Sequence, residues 1–235
     1  DYPELDATIM SVYLIEADNA LLKAMSGKSS ENALKFLKRM GVEVLLNNTV
    51  QSYDGLNIRT NKDVLLQART MIWTAGVKGN VPIGIKNDNI TKGNRILVDD
   101  YCRIKGYENI FAIGDIAAML SEKYPIGHPM VAQVAIQQGK QLAGNLLLQL
   151  QNKEFSKFKY KDKGSLATVG KRKAVADIGK LKFGGYIAWL LWSFVHLISI
   201  SGFKNKILVA INWAWSYFTY DKGNRLIIRS FKSNK

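Results

Sequence analysis

NIFAIGD, residues 109–115, reads as a buried strand that delivers a glycine and then an acid at its carboxyl end. Open α/β sheets bind their ligands at that end of the strands. Gly114 would let a ligand approach the backbone, and Asp115 would accept hydrogen bonds from a polyol. A plain turn with an aspartate helix cap is the other reading of the same residues. Upstream, Arg95–Val98 reads as a second strand. Downstream, Pro129 can open a helix running to about Leu150, with Val131, Ala135, Leu142, Leu146 and Leu150 at apolar spacing. That helix carries AQVAIQQG at 132–139, in which Gln133 and Gln137 stand four apart and share a face. Amides there would bond a carbonyl of a flat ligand without adding charge, or simply face water.

Working outward, residues 1–75 keep the alternation that marks an α/β fold. Thr8–Ile15 is a β-branched, apolar run. Ser30 is an expected N-cap for a helix over Glu31–Met40, and Gly41 is its stop. Val42–Leu46 follows as a strand, Leu56–Arg59 and Val64–Leu66 as a small hairpin, and Thr70–Trp73 as a further short strand. It runs into WTAGV, 73–77, where Ala75 and Gly76 permit close backbone approach to a planar ring, or form a strand-to-loop turn. No two glycines are two positions apart, so the phosphate-binding GxGxxG is absent. Glu16 ends the first strand. The plainer reading of it is a surface acid; the other is the carboxylate that holds a nucleotide ribose at the end of a βαβ unit.

The C-terminal third differs. Of 33 basic and 19 acidic residues, 14 and 3 fall in 161–235, so +11 of the net +14 lies there. Such a stripe suits an anionic partner. Leu166–Val169 and Arg172–Asp177 read as short strands around Gly170. Phe183–Phe203 then runs 21 residues without Lys, Arg, Asp or Glu, Lys204 and Lys206 interrupt, and Ile207–Tyr220 is again uncharged. Trp189, Trp192, Trp213 and Trp215 lie here, and Ser193, His196 and Ser199 form a polar stripe. The pattern fits amphipathic helices lying in a membrane interface. A membrane hairpin and a helical dimer core are the alternatives. Nucleic acid is the weaker partner, because the basic residues interleave with long apolar runs.

The 47% hydrophobic and 22% charged composition is that of a globular chain. One cysteine, Cys102, excludes an internal disulfide or CxxC pair, and with only two histidines no metal site is expected. The acidic start, Asp1 to Asp6, is no secretory signal.

Taken in order, LIEA, WTAGV, NIFAIGD, AQVAIQQG, GSLATVGKRKAVADIG, AWLLWSFVHL and NWAWSYFTYDKGNRLI resemble the type II NADH:quinone oxidoreductases, over essentially all 235 residues. The resemblance implies two Rossmann-type domains of the disulfide-reductase flavoprotein kind, here partial, and a membrane-binding C-terminal region. Residues 1–75 would be the second part of an NADH domain, 76–158 the returning part of an FAD domain, and 159–235 the membrane region. Both GxGxxG loops of the family would precede Asp1, so the chain is expected to be the C-terminal part of a longer protein.

By the same resemblance Glu16 matches the NADH ribose acid, and Gly114 and Asp115 the FAD ribityl site. Ala132 and Gln133 match contacts to the flavin ring. Gln133 and Gln137 match the quinone-side glutamines, and Gly170, Lys171 and Arg172 a loop lining the quinone tunnel. Trp189, Trp192, Lys204, Lys206, Trp213 and Trp215 would meet the membrane. The implied reaction moves a hydride from NADH to FAD and two electrons to a membrane quinone, with no side-chain nucleophile and no proton pumping. A homodimer attached to the cytoplasmic face of a cell membrane is the expected assembly. A basic membrane-binding scaffold that keeps the fold without catalysis is the alternative from another class.

Overall fold

The structure, a computed structural model, describes residues 10–219. In chain order its elements begin β1 (Val12–Glu16), α1 (Gly27–Arg39), β2 (Val42–Leu46), β3 (Val50–Tyr53), β4 (Asn57–Thr60) and β5 (Leu65–Gln67). Next come β6 (Ile96–Val98), β7 (Ala117–Met119) and α2 (Ala132–Leu150). The last are β8 (Ser165–Gly170), β9 (Lys173–Ile178), β10 (Leu181–Gly185), α3 (Tyr186–Ser199) and α4 (Phe203–Thr219). They fall into two compact units: residues to Thr70 with those from Gly164 onward, and Met71–Lys163.

In the first unit β1 and β2 pair in parallel, Val12 opposite Val42 and Glu16 opposite Leu46, with α1 as the crossover. The start expected for that first strand, at Thr8, lies outside the described residues. The helix cap is Ser26, one turn before Ser30; its hydroxyl accepts from the Ser29 N–H at 3.4 Å. The reason is tertiary. The Asp177 carboxylate on β9 accepts from the Ser26 N–H at 2.5 Å, the Ser26 hydroxyl at 2.9 Å and the Ser29 hydroxyl at 2.7 Å. Lys38 and Arg39 close the helix, complementing its dipole. β3, β4 and β5 form an antiparallel sheet in that order. Its β3 was not evident from sequence, because Gln51 and Ser52 break the apolar alternation.

β8, β9 and β10 form an antiparallel meander. Lys171 and Arg172 make the turn between the first two, with Arg172 at φ 62°. α3 packs on this sheet through Ala188, against Ala174 and Ala176, with Leu166, Phe183 and Trp189 around them. The uncharged run from Phe183 to Phe203 is not one helix. Its first three residues pair in β10, Gly185 turns the chain at φ 90°, and Gly202 at φ 81° precedes α4. The helices span about 21 and 26 Å, against about 30 Å of bilayer hydrocarbon. Among the described residues no helix is long and apolar enough to cross a membrane.

In the second unit β6 pairs in parallel with β7, Ile96 opposite Ala117 and Val98 opposite Met119. Ile96, Val98, Ile104, Ala112, Met119, Phe158 and the fully buried Cys102 make the core. Burial pushes the Cys102 thiol up to about 11, so it stays protonated and unreactive. Two expected strands are absent among the described residues. Thr70–Trp73 has no ladder partner. Asn109–Ile113 makes one antiparallel bridge, Phe111 to Arg103, flanked by bonds from the Ile104 N–H to the Ile110 carbonyl and the Ala112 N–H to the Cys102 carbonyl. Apolar pattern specifies an extended segment, but a strand also needs a neighbour for its backbone.

Candidate functional site

NIFAIGD delivers its glycine and acid to a single 3₁₀ turn, Gly114–Ile116. Gly114 has φ 70°, and a Cβ there would lie 3.3 Å from the Ala135 Cβ on α2. Glycine therefore serves both the backbone angle and the close seat on the helix. The Gly114 N–H donates to the Gln138 Oε1 at 2.7 Å. Gln138 is 1% exposed, and its Nε2 has no hydrogen-bond partner among the described residues. Asp115 is exposed beside this turn. α2 begins at Ala132 with Val131 as its N-cap, which contributes no side-chain hydrogen bond. An exposed carboxylate and a helix start without a side-chain cap therefore stand together, one an acceptor and the other the positive end of a dipole.

Arg95, missed by sequence reading, underlies this turn. It is 7% exposed, and its guanidinium donates to four backbone carbonyls: Asp115 at 3.0 Å, Ile126 at 3.3 Å, His128 at 2.9 Å and, by a short bond, Ala117. Burial lowers its pKa, and the Asp115 carboxylate works against that shift. His128 is buried among Tyr124, Phe158 and Tyr160. Desolvation, then the charges of Arg95 and Lys123, lower its pKa, so the ring is neutral near pH 7.

The glutamines of α2 have specific partners. Gln133 Oε1 accepts from the Lys163 N–H at 3.1 Å. Gln137 takes the Lys161 backbone at both ends, donating to its carbonyl at 2.9 Å and accepting from its N–H at 3.0 Å. Gln141 donates to the Ser156 carbonyl, and the buried Asn145 both donates to that carbonyl and accepts from the Ser156 N–H. The shared face of the two glutamines is thus one end of a ladder that straps residues 156–163 along the helix. Ala75 and Gly76 are exposed, Gly76 at φ 84° with open space where a Cβ would stand.

In the first unit Glu16 is half-buried at the carboxyl end of β1, one oxygen accepting from the Asp18 N–H at 3.0 Å. Gly170 sits where a Cβ would come 3.0 Å from the Met40 sulfur. Lys171 donates to the Tyr217 carbonyl at 3.1 Å and lies 5.0 Å from that ring's centroid, with the Arg172 guanidinium at 4.7 Å. Trp189 stacks on Tyr186 and Tyr217, and Trp192 on Trp213, so three of the four tryptophans form a seam between α3 and α4. Trp215 is 63% exposed. Lys204 and Lys206 lie in the first turn of α4.

Residues 5–139 match the pyridine nucleotide-disulphide oxidoreductases, and residues 163–219 match the NDH2 C-terminal domain. The chain belongs to the pyridine nucleotide-disulphide oxidoreductase family. The type II NADH:quinone oxidoreductase Ndh of Mycobacterium tuberculosis is 32% identical over 96% of this chain and 50% of its own length. The type II NADH:quinone oxidoreductase of Haemophilus influenzae is 32% identical over 78% of this chain and 41% of its own. The chain spans about half the length of the curated relatives it matches. The fold is that of NDH2 from Plasmodium falciparum, solved in complex with NADH, at a TM-score of 0.80 and 18% identity over 93% of this chain and 60% of that one. The buried polar residues Arg95, Gln138, Asn145 and Asp177 are among those sequence reading missed. The only hints were polar residues inside otherwise apolar or helical stretches.

Proposed function

We propose that the chain is the quinone-side half of an FAD-dependent enzyme passing two electrons from NADH to a membrane quinone without pumping protons. The observation that carries this is the Gly114–Asp115 turn seated on the first turns of α2, in a chain whose other end matches the NDH2 C-terminal domain. The exposed Asp115 carboxylate suits the hydroxyls of a ribityl chain, and the N-terminal dipole of α2 at Ala132 and Gln133 suits the carbonyl edge of a flavin ring. The residues present therefore fit FAD. When bound, it would supply the two-electron chemistry, taking hydride from NADH and passing the electron pair to quinone. Ala75 and Gly76 would leave room for its ring, and Glu16 would hold the NADH ribose and disfavour a 2′-phosphate.

On the quinone side the proposed residues are Gln133, Gln137, Gly170, Lys171 and Arg172. Gln137 acts there through the strap it holds, since both ends of its amide are engaged by Lys161. Membrane attachment, on the cytoplasmic face, falls to α3 and α4, with Trp215 and the seam tryptophans 189, 192 and 213 at headgroup depth. Lys204 and Lys206 stand at the positive end of α4, where helix stability gives no reason for them and anionic headgroups do. A homodimer is the proposed assembly.

The test is stopped flow on the complete flavin-loaded protein. NADH should bleach the flavin absorbance, and a membrane quinone should restore it. Glu16→Ala should raise the KM for NADH about tenfold, through loss of a charge-assisted hydrogen bond, and narrow the preference over NADPH. Flavin that NADH does not reduce would overturn the proposal.

A further inference from the structure

Three charged side chains meet at the carboxyl end of β1. Glu16 ends the strand, and Asp18 and Lys23 follow in the loop that leads to α1. The root of that loop is fixed to the end of β2. The Glu16 carbonyl accepts from the Asn48 N–H at 3.0 Å and the Asp18 carbonyl from the Asn47 N–H at 2.9 Å. The Asp18 N–H in turn donates to the Glu16 carboxylate at 3.0 Å. The chain then doubles back. Leu21 is buried, Leu22 takes φ 50°, and the Met25 N–H donates to the Leu22 carbonyl at 2.7 Å. This turn returns Lys23 to Asp18, with Nζ 2.6 Å from Oδ1. Asp18, by its hydrogen bond and its charge, raises the Lys23 pKa, and the charge of Glu16 adds to the shift against desolvation.

Stability gives little reason for the Asp18–Lys23 pair. Lys23 is exposed and Asp18 half-buried, and ion pairs in such settings contribute little. Lys23 also lies three residues ahead of the Ser26 cap, near the positive end of the α1 dipole, where a cation is disfavoured. The nucleotide supplies a reason. If Glu16 holds the adenosine ribose of NADH, the 2′-phosphate of NADPH would arrive at this corner. Two carboxylates and one ammonium leave it one net negative charge. Without Glu16 alone the corner would be neutral, with the cation still bonded to Asp18. Without Asp18 alone, Glu16 would remain to neutralise Lys23. Only the loss of both carboxylates would free the ammonium for a phosphate.

We propose that Asp18 is a second determinant of nucleotide choice, because it holds Lys23 away from the 2′-phosphate of NADPH. It rests on the reading of Glu16 as the ribose acid, and goes beyond it in dividing the discrimination between a carboxylate that repels the phosphate and one that occupies the cation.

The test uses the complete flavin-loaded protein as wild type, Glu16→Ala, Glu16→Ala/Asp18→Asn, and that double variant with Lys23→Gln. Calorimetry with 5′-AMP and 2′,5′-ADP reads the corner without the chemistry, and KM values for NADH and NADPH accompany it. Glu16→Ala should weaken 5′-AMP and leave 2′,5′-ADP without a strong partner. Adding Asp18→Asn should tighten 2′,5′-ADP about tenfold, through a new charge-assisted contact, and lower the KM for NADPH in parallel. The gain should fade at high ionic strength, because the contact is exposed. Lys23→Gln should remove it. 5′-AMP, which has no 2′-phosphate, should bind the single and double variants alike. Asp18→Ala in the Glu16→Ala background should give the same gain, so the result does not hang on one variant folding. Equal 2′,5′-ADP affinity in the single and both double variants, or a gain that survives Lys23→Gln, would overturn the role of Asp18 while the ribose reading stands. If Glu16→Ala leaves 5′-AMP and NADH unaffected, the ribose reading fails and the proposal with it.

Discussion

Two apolar surfaces face outward from this chain, and they differ in what their backbones do. On α3 and α4 the exposed Ile187, Phe194, Ile198, Phe203 and Phe218 ride on helices whose peptide groups are paired internally. In the second unit Ile72, Trp73, Val77, Ile83 and Ile113 ride on segments outside any helix or strand. Next to them Asn109–Ile113 has one bridge to Arg103. A helical apolar surface can meet hydrocarbon, which offers no hydrogen bonds. An extended one needs a partner that hydrogen-bonds, either more polypeptide or a polar ligand. Under the proposed function, the helical surface suits a lipid interface and the extended one a partner that hydrogen-bonds.

The largest expected effect breaks one side of that contrast and spares the other. Arg95→Met orphans four carbonyls beneath the Gly114–Asp115 turn and should cost about 3–5 kcal/mol. Urea unfolding should show the loss, flavin should wash out, and vesicle binding should persist. Loss of vesicle binding as well would mean that the two surfaces are not independent.

Next, Phe194→Glu with Ile198→Glu attacks the helical surface. Each removes about 1.5–3 kcal/mol of apolar burial in a lipid interface, so flotation should fall roughly tenfold or more per position. The melting temperature in detergent-free buffer should hardly move, because both side chains are exposed. A large drop would mark the surface as a core.

Asp177→Asn acts inside the first unit at about 1–3 kcal/mol, by weakening the cap that ties β9 to α1. Burial alone would raise the Asp177 pKa, but hydrogen bonds from Ser26 and Ser29 and the charge of Lys182 hold it below its ordinary 3.8. A carboxyl depressed in the folded state stabilises fully above its unfolded value, and loses that contribution as pH falls from 3.8 through the folded pKa. The wild type should therefore lose stability over that acid window, and Asp177→Asn should lose less there.

Gln137→Leu is the smallest, at about 1 kcal/mol, a few-fold to tenfold in rate. Flavin reduction by NADH should stay nearly intact in stopped flow, while reoxidation by quinone slows. Slowed reduction with untouched reoxidation would move this face of α2 away from the quinone.

What could be read ahead of the structure was whatever short-range pattern controls. The strands on either side of α1, the turn at Gly114, the helix carrying Gln133 and Gln137, and the two strands around Gly170 all follow from periodicity and glycine placement. What could not be read depends on residues far along the chain. The sequence reading places the cap at Ser30, and Asp177, some 150 positions away, holds Ser26 in that role instead. Arg95 reads only as the first residue of a strand, and the carbonyls of 115–128 that close around it are 20 to 33 positions away. Asn109–Ile113 has every residue a strand needs, and pairing is the one property a strand does not carry in its own sequence. Gln137 was legible as a face and illegible as a clamp, because its partner Lys161 belongs to a segment with no periodicity of its own.

That clamp has a metric consequence. Gln133 meets Lys163 and Gln137 meets Lys161, so four residues of helix are matched by two of extended chain. Four helical steps advance about 6.0 Å and two extended steps about 6.6 Å. Over these two rungs the rises are commensurate, and the strap is laid antiparallel to α2. Slippage by one strap residue would present the wrong side of the chain to both amides at once. The two-residue step holds between Gln133 and Gln137 alone, since Gln141 meets Ser156, five strap residues from Lys161.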